Sequence, residues 1–241
     1  MFEVGTDVPA QLPGQDQRGH RRMTGVLLVA VPVLFMVFFT LLQARFEYPD
    51  ILRRPAAEVL TKFHAGGPGL TALWYGMFAS ALLFIPLAVA ARRYVAAPRQ
   101  TSVLVAGVLA GLVQAVGLCR WVFVVPWLAT GHADVTTGES KREAIVVAFN
   151  VLNHLMGVGI GEHLGFLFTA AWTALLSLGI GHRRPLAAWL GLLLALGILS
   201  GLLEPAGVAW AGTVNAIAYS AWSLWLVVIG VLLWRGRITA A

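Results

Sequence analysis

The chain has 241 residues, 59% hydrophobic and only 12% charged, against roughly 25% charge in an average soluble domain. With a mean hydropathy of +0.79, a soluble globular enzyme is excluded. The net charge of +6 does not point to nucleic acid, because the 17 Lys and Arg residues form short clusters beside apolar runs instead of a basic face with interleaved aromatics.

Residues 1–22 carry two prolines, three glycines and almost no apolar periodicity, so they cannot bury enough surface to fold alone and are expected to be a flexible tail. The apolar run that begins at Met23 is longer than a signal-peptide core and has no A-x-A-like cleavage site after it, which marks it as a retained span. Uncharged runs follow at Met23–Ala44 (22 residues), Ala65–Ala91 (27), Gln100–Cys119 (20), Pro185–Leu203 (19) and Pro205–Trp234 (30). About 20 apolar residues cross a bilayer. The expected fold is therefore an all-α, polytopic membrane bundle, with a six-span domain over 23–237 and spans near 24–45, 69–91, 101–125, 159–181, 186–203 and 209–234. The stretch 140–181 is too long for one span, and Gly157, Gly159 and Gly161 interrupt it. An amphipathic lead-in over 140–156, then a break or bend, is expected before the fourth span.

Alternate segments differ in basic residues. One side holds Arg18, Arg21, Arg22, Arg92, Arg93, Arg99, Arg183, Arg184, Arg235 and Arg237; the other holds Arg45, Arg53, Arg54, Lys62, Lys141 and Arg142. The excess on the first side predicts cytoplasmic N and C termini. On the other side, Pro55 opens a short helix in which Glu58 and Lys62 can pair at i,i+4, Val59, Leu60 and Phe63 form an apolar stripe, and Gly66-Gly67 ends it. That pattern predicts an external interfacial helix. Trp74, Trp121, Trp127, Trp189, Trp210 and Trp234 lie near span ends, as an interfacial belt requires. Gly107, Gly111 and Ala115 give the third span a small-residue face for close helix packing.

Ionisable and amide side chains are few at membrane depth, where their cost makes each a functional candidate. They are Gln114 and Arg120 in the third span, Asn150, Asn153 and His154 in the lead-in, Glu162 and His163 in the fourth span, Glu204 after the fifth and Asn215 in the sixth. The topology puts all but Gln114 at the outer end of the bundle, where they could line one outward-facing pocket. Asn150, Asn153 and His154 share a helical face, but on an ideal helix Glu162 sits ~80° and His163 ~180° from His154. His154, Glu162 and His163 are candidate metal or haem ligands, although no H-E-x-x-H spacing is present. Lone Cys119 forms neither an intramolecular disulfide nor a cysteine zinc site and is expected to be a small buried hydrophobe. No serine sits in a G-x-S-x-G elbow, and the run Gly157–Gly165 fails the G-x-G-x-x-G pattern with no strand before it.

The segments Phe46-Glu47-Tyr48-Pro49-Asp50-Ile51-Leu52-Arg53, His64-Ala65-Gly66-Gly67-Pro68, Leu73-Trp74-Tyr75-Gly76, Gly117-Leu118-Cys119-Arg120-Trp121-Val122 and Gly161-Glu162-His163-Leu164-Gly165 together resemble the bacterial membrane-protein family catalogued as domain of unknown function 4386. The resemblance covers about residues 23–235. It implies a multi-helix protein of the bacterial cytoplasmic membrane and brings no activity, cofactor or site residue.

Three functions fit the candidates. The first is binding of a small ligand or a membrane-protein partner through the outer polar pocket, without catalysis. The second is a metal- or haem-dependent membrane enzyme centred on His154, Glu162 and His163. The third is a proton-coupled secondary transporter using Glu162. A structural network in which Arg120 neutralises Glu162 or Glu204 is the plain alternative to all three.

Overall fold

A computed structural model of the chain describes residues 13–238, with side chains from Gln17 onward. Among the described residues there is no strand. The helices are α1 (Pro13–Phe46), α2 (Ala56–Ala91), α3 (Gln100–Phe123), α4 (Val125–Ala133), α5 (Glu139–Leu152), α6 (Gly165–Ile180), α7 (Pro185–Leu199) and α8 (Ala211–Trp234), with a π-helical segment at Asn153–Leu164 and 3₁₀ turns at Asp50–Arg53 and Ser200–Ala206. Six of the helical stretches are long and apolar enough to cross a membrane: 17–46, 56–94, 97–133, 139–180, 185–206 and 211–234. The first begins earlier than expected, because α1 already winds at Pro13; the start of the expected tail, residues 1–12, lies outside the described residues.

Each crossing helix packs on its chain neighbours and α1 packs on α8, which arranges the six as a ring. Small residues set the closest approaches. A Cβ on Gly107 would meet Ala88 and Trp172, and one on Gly111 would meet Ile85 and the Ala81 carbonyl, so the small face of α3 packs between α2 and α6. At the end carrying both termini, Gly25 and Gly230 bring α1 and α8 together backbone to backbone.

The core divides along the ring's axis. Towards the termini, Leu28, Leu87, Val103, Trp172, Leu226 and Ile229 are buried together. Towards the opposite face, Phe46, Ile51, Leu60, Phe63, Trp121 and Phe149 surround Trp74. There Trp74 and Trp121 stack with centroids 4.5 Å apart and planes 8° from parallel, and Phe46 stands edge-on to both. Trp74 and Trp121 are fully buried, so they belong to this aromatic core and not to an interfacial belt. Trp127, Trp189, Trp210 and Trp234 are exposed where a bilayer would meet them.

The expected short helix is present ahead of the second span: Gly67, at φ 57° and ψ −159°, is non-helical and separates 56–66 from the rest of α2 by a kink, a conformation that glycine reaches at little cost. Val59, Leu60 and Phe63 point into the aromatic core. The Glu58–Lys62 pair does not form; Glu58 pairs with Arg54 at 2.6 Å, and Lys62 with Glu47 at 2.5 Å. Because Arg54 also pairs with Glu47, the end of α1, the 3₁₀ turn and the start of α2 are clamped by one ionic network. The Lys62 hydrogen bond, aided by the charge of Arg54, holds the Glu47 carboxyl below the usual carboxylate range, and Arg54 is pushed up by Glu58 and Glu47.

No break precedes the fourth span. Between α5 and α6 the chain rewinds into twelve residues of π-helix, Asn153–Leu164, with i→i+5 bonding that is rare and is mostly seen as single turns at functional sites. Gly157, Gly159 and Gly161 lie within this segment. Two of them serve packing, since Gly161 abuts Gly117 of α3 and Gly157 faces Arg120.

Candidate functional site

Arg120 projects from the last turn of α3 and is 5% exposed. Its position follows from two glycines. Gly117, one turn back, lets α3 touch the π segment, and Gly157 leaves the space that the guanidinium fills. Nη1 donates to the Gly117 carbonyl, and Nη2 donates to Oδ1 of Asn153 at 3.1 Å. The guanidinium carbon lies 5.2 Å from the Trp121 ring centroid, a cation–π arrangement. Nε has no hydrogen-bond partner among the described residues.

The carboxylate partner anticipated for Arg120 is not in contact with it. Among the described residues no ion pair joins Arg120 to Glu162 or Glu204. Glu162, on the π segment and half-buried, is near enough to Arg120 for the two charges to interact through space, Tyr48 lies within range of both, and Glu204 lies within range of Glu162. With i→i+5 bonding the 100° step no longer relates Glu162 to His154, and the amide of Asn153 takes the place beside the guanidinium.

The other candidates disperse. Asn150 and His154 are exposed, and His154 Nδ1 lies 2.9 Å from the Asn150 carbonyl, so the face they share with Asn153 does not all turn inward. His163 is half-buried, with no hydrogen bond among the described residues. Glu204 is exposed on the turn after α7, its carboxylate against Gly212 of α8. Asn215 is buried and donates from Nδ2 to the Ile198 carbonyl at 2.7 Å, tying α8 to the end of α7. Among the described residues no three His, Cys, Asp or Glu side chains come together to hold a metal ion, and His154, Glu162 and His163 form no such group. Cys119 is half-buried, its thiol donating to the Val116 carbonyl at 3.1 Å.

A second polar group gathers around Gln114, whose partners escaped the sequence reading. Thr169 and Thr173 on α6 are fully buried. Gln114 donates from Nε2 to Thr169 Oγ1 at 3.1 Å and to the Ala110 carbonyl, and Trp222 donates from Nε1 to Thr173 Oγ1 at 2.7 Å. These bonds link α3, α6 and α8 across the ring. The usable signal was the i,i+4 spacing of Thr169 and Thr173, which repeats at Ser177 and lays three hydroxyls along one helix face. None of the eight outer candidates lines either of two cavities found by α1 and α8.

Fold and site together define a polytopic helical membrane protein with a buried arginine at one end that makes no ion pair among the described residues. The match of a family model described as domain of unknown function 4386 over residues 23–235 shows that the chain belongs to that family. No curated protein and no solved structure matches the chain.

Proposed function

We propose that the protein binds a small molecule carrying an anionic group, a carboxylate or phosphate, at the end of the bundle where Arg120 meets the π segment. The observation that supports this reading is the state of Arg120: a guanidinium 5% exposed, hydrogen-bonded to neutral groups only and without a carboxylate in contact among the described residues. A buried charge left unpaired is expensive. A ligand anion replacing the Asn153 amide would neutralise it. Glu162 would then face the uncharged or cationic part of the ligand. The arginine excess on the terminal face supports a bacterial cytoplasmic membrane with both termini inside, so that this site opens outward.

The test is thermal unfolding of the purified protein in nanodiscs with millimolar phosphate or butyrate at constant ionic strength, compared with chloride alone. Saturable stabilisation that is lost in Arg120→Gln and kept in Glu204→Gln supports the reading. No stabilisation by either anion, or the same stabilisation in Arg120→Gln, overturns it. Reporter fusions at the two ends test the orientation, which fails if either end reads as external.

A further inference from the structure

The seam between α1 and α8 is closed at one end and open along the rest. Near the termini, Gly25 and Gly230 hold the two backbones together. About two turns further along α1 stands Pro32, which lacks an N–H and cannot continue the hydrogen-bond ladder. From Pro32 outward the seam is a groove of about 430 Å³ whose walls are Val33, Met36, Val37 and Leu41 of α1 and Leu224 and Val227 of α8. It faces the surroundings of the ring, where a membrane places hydrocarbon.

Behind the groove, inside the ring, is a small chamber lined by Ser80 of α2, Gln114 of α3 and Tyr219 and Trp222 of α8. Its volume of about 30 Å³ exceeds the ~10–15 Å³ that one water-sized group needs. Pro32 and Ser223 line both spaces, so only the width of these two side chains separates them. The chamber's hydrogen-bonding is unbalanced. Both amide hydrogens of Gln114 are used, on Thr169 and on the Ala110 carbonyl. Ser80 and Ser223 give their hydrogens to the Gly76 and Tyr219 carbonyls, and the Trp222 N–H is on Thr173. The Tyr219 phenol, which also lines the chamber, interacts with Thr169; Oε1 of Gln114 receives no hydrogen bond from the described residues, so the chamber offers an acceptor there. Neither space is lined by a charged side chain, which disfavours a phosphate or carboxylate head because its charge would be stranded.

We infer that this groove and chamber form a lateral binding site for a single apolar chain ending in a hydroxyl, a long-chain alcohol drawn from the bilayer. The chain lies between α1 and α8 outward of Pro32, and its O–H passes between Pro32 and Ser223 to donate to Gln114 Oε1. This site is separate from the Arg120 site and does not depend on it.

The probe is a photoreactive hexadecanol with a diazirine on the chain, applied to the full-length protein in nanodiscs and mapped by mass spectrometry. Saturable labelling is expected on Met36, Val37 and Leu224, suppressed by excess hexadecanol but not by hexadecane. Gln114→Leu should weaken the apparent affinity roughly five- to tenfold, the value of about one buried hydrogen bond. Leu224→Trp fills the groove from its exposed wall without touching the chamber and should abolish labelling, which keeps the test valid if Gln114→Leu does not fold. Labelling spread equally over exposed Leu186 and Leu193 of α7, equal suppression by hexadecane, or full labelling in Leu224→Trp overturns the proposal. A photoreactive palmitate that labels as well as the alcohol also overturns it, because the chamber would then be accepting a carboxylate.

Discussion

The guanidinium of Arg120 occupies the place of a side chain that Gly157 does not have: a Cβ built on Gly157 would lie 2.5 Å from Nη2. The glycine and the arginine are one feature divided between two helices. Gly117 and Gly161, in backbone contact beside them, allow the approach, and Asn153 at the start of the π segment supplies the acceptor. A membrane helix thereby keeps a charge in its last turn with a neutral partner in place of an ionic one.

Gly157→Ala should therefore displace Arg120, because the methyl group and the guanidinium cannot share the space. Overpacking of this kind costs about 1–3 kcal/mol, and thermal or denaturant unfolding in detergent should show a loss in that range. Gly159→Ala is the matched control. Its added Cβ would meet only the His154 carbonyl at 3.5 Å, an ordinary contact, so its stability should be unchanged or slightly raised.

The Trp74–Trp121 stack anchors the opposite core. Truncating either ring to alanine should cost ~3–5 kcal/mol, the usual range for a large buried aromatic. The two losses should sum to more than that of the double variant, because each ring is the other's principal contact. Trp127→Ala, at a side chain 74% exposed, should change unfolding little. A loss at Trp127 equal to that at Trp74 would remove the distinction between core and belt tryptophans.

The six crossing segments were legible because length and apolarity alone decide them. Packing detail was less so. Trp74 and Trp121 sit near span ends in sequence, and only the kink at Gly67, which folds the start of α2 over them, makes them core. The glycines at 157, 159 and 161 announced a departure from the α-helix, but an interruption and a π-helix share the same small residues, so Glu162 was placed by an angle the backbone does not keep. Arg120 was recognisable from its depth. Its partner was not, because charge suggests a carboxylate, whereas the wider winding turns Asn153 towards it. Gln114 was legible as a polar group at membrane depth, but its partner Thr169 was not, because a threonine is unremarkable on its own helix and the two meet only through the ring.

Glu47 makes the clamp over the aromatic core sensitive to acid. Its carboxyl is held below its ordinary value of 4.5 by the Lys62 hydrogen bond and the Arg54 charge. The contribution is thus fully present above that ordinary value and lost as pH falls through the lowered one. A nitroxide at exposed Thr61 should gain mobility in this acidic window and regain order on neutralisation. Glu47→Gln should be mobile at neutral pH already and show no further change on acidification. A label whose mobility follows pH equally in both proteins would assign the transition to another group.

The geometry also specifies which residue is energetically coupled to Arg120. A double-mutant cycle between Arg120→Leu and Asn153→Leu should give a coupling of about 1.5–3 kcal/mol, the value of a hydrogen bond to a charged group. The cycle between Arg120→Leu and Glu162→Leu should give less, because those side chains interact only through space. Arg120→Lys should not recover the wild-type stability: one ammonium cannot reproduce the guanidinium's paired reach to the Gly117 carbonyl and Asn153. Unfolding midpoints of the four single variants and two double variants, measured in one detergent, decide the matter. Stronger coupling to Glu162 than to Asn153 would mean that the carboxylate is the working partner in solution, and with the charge already neutralised from within the protein, the case for an external anion at Arg120 would fall with it.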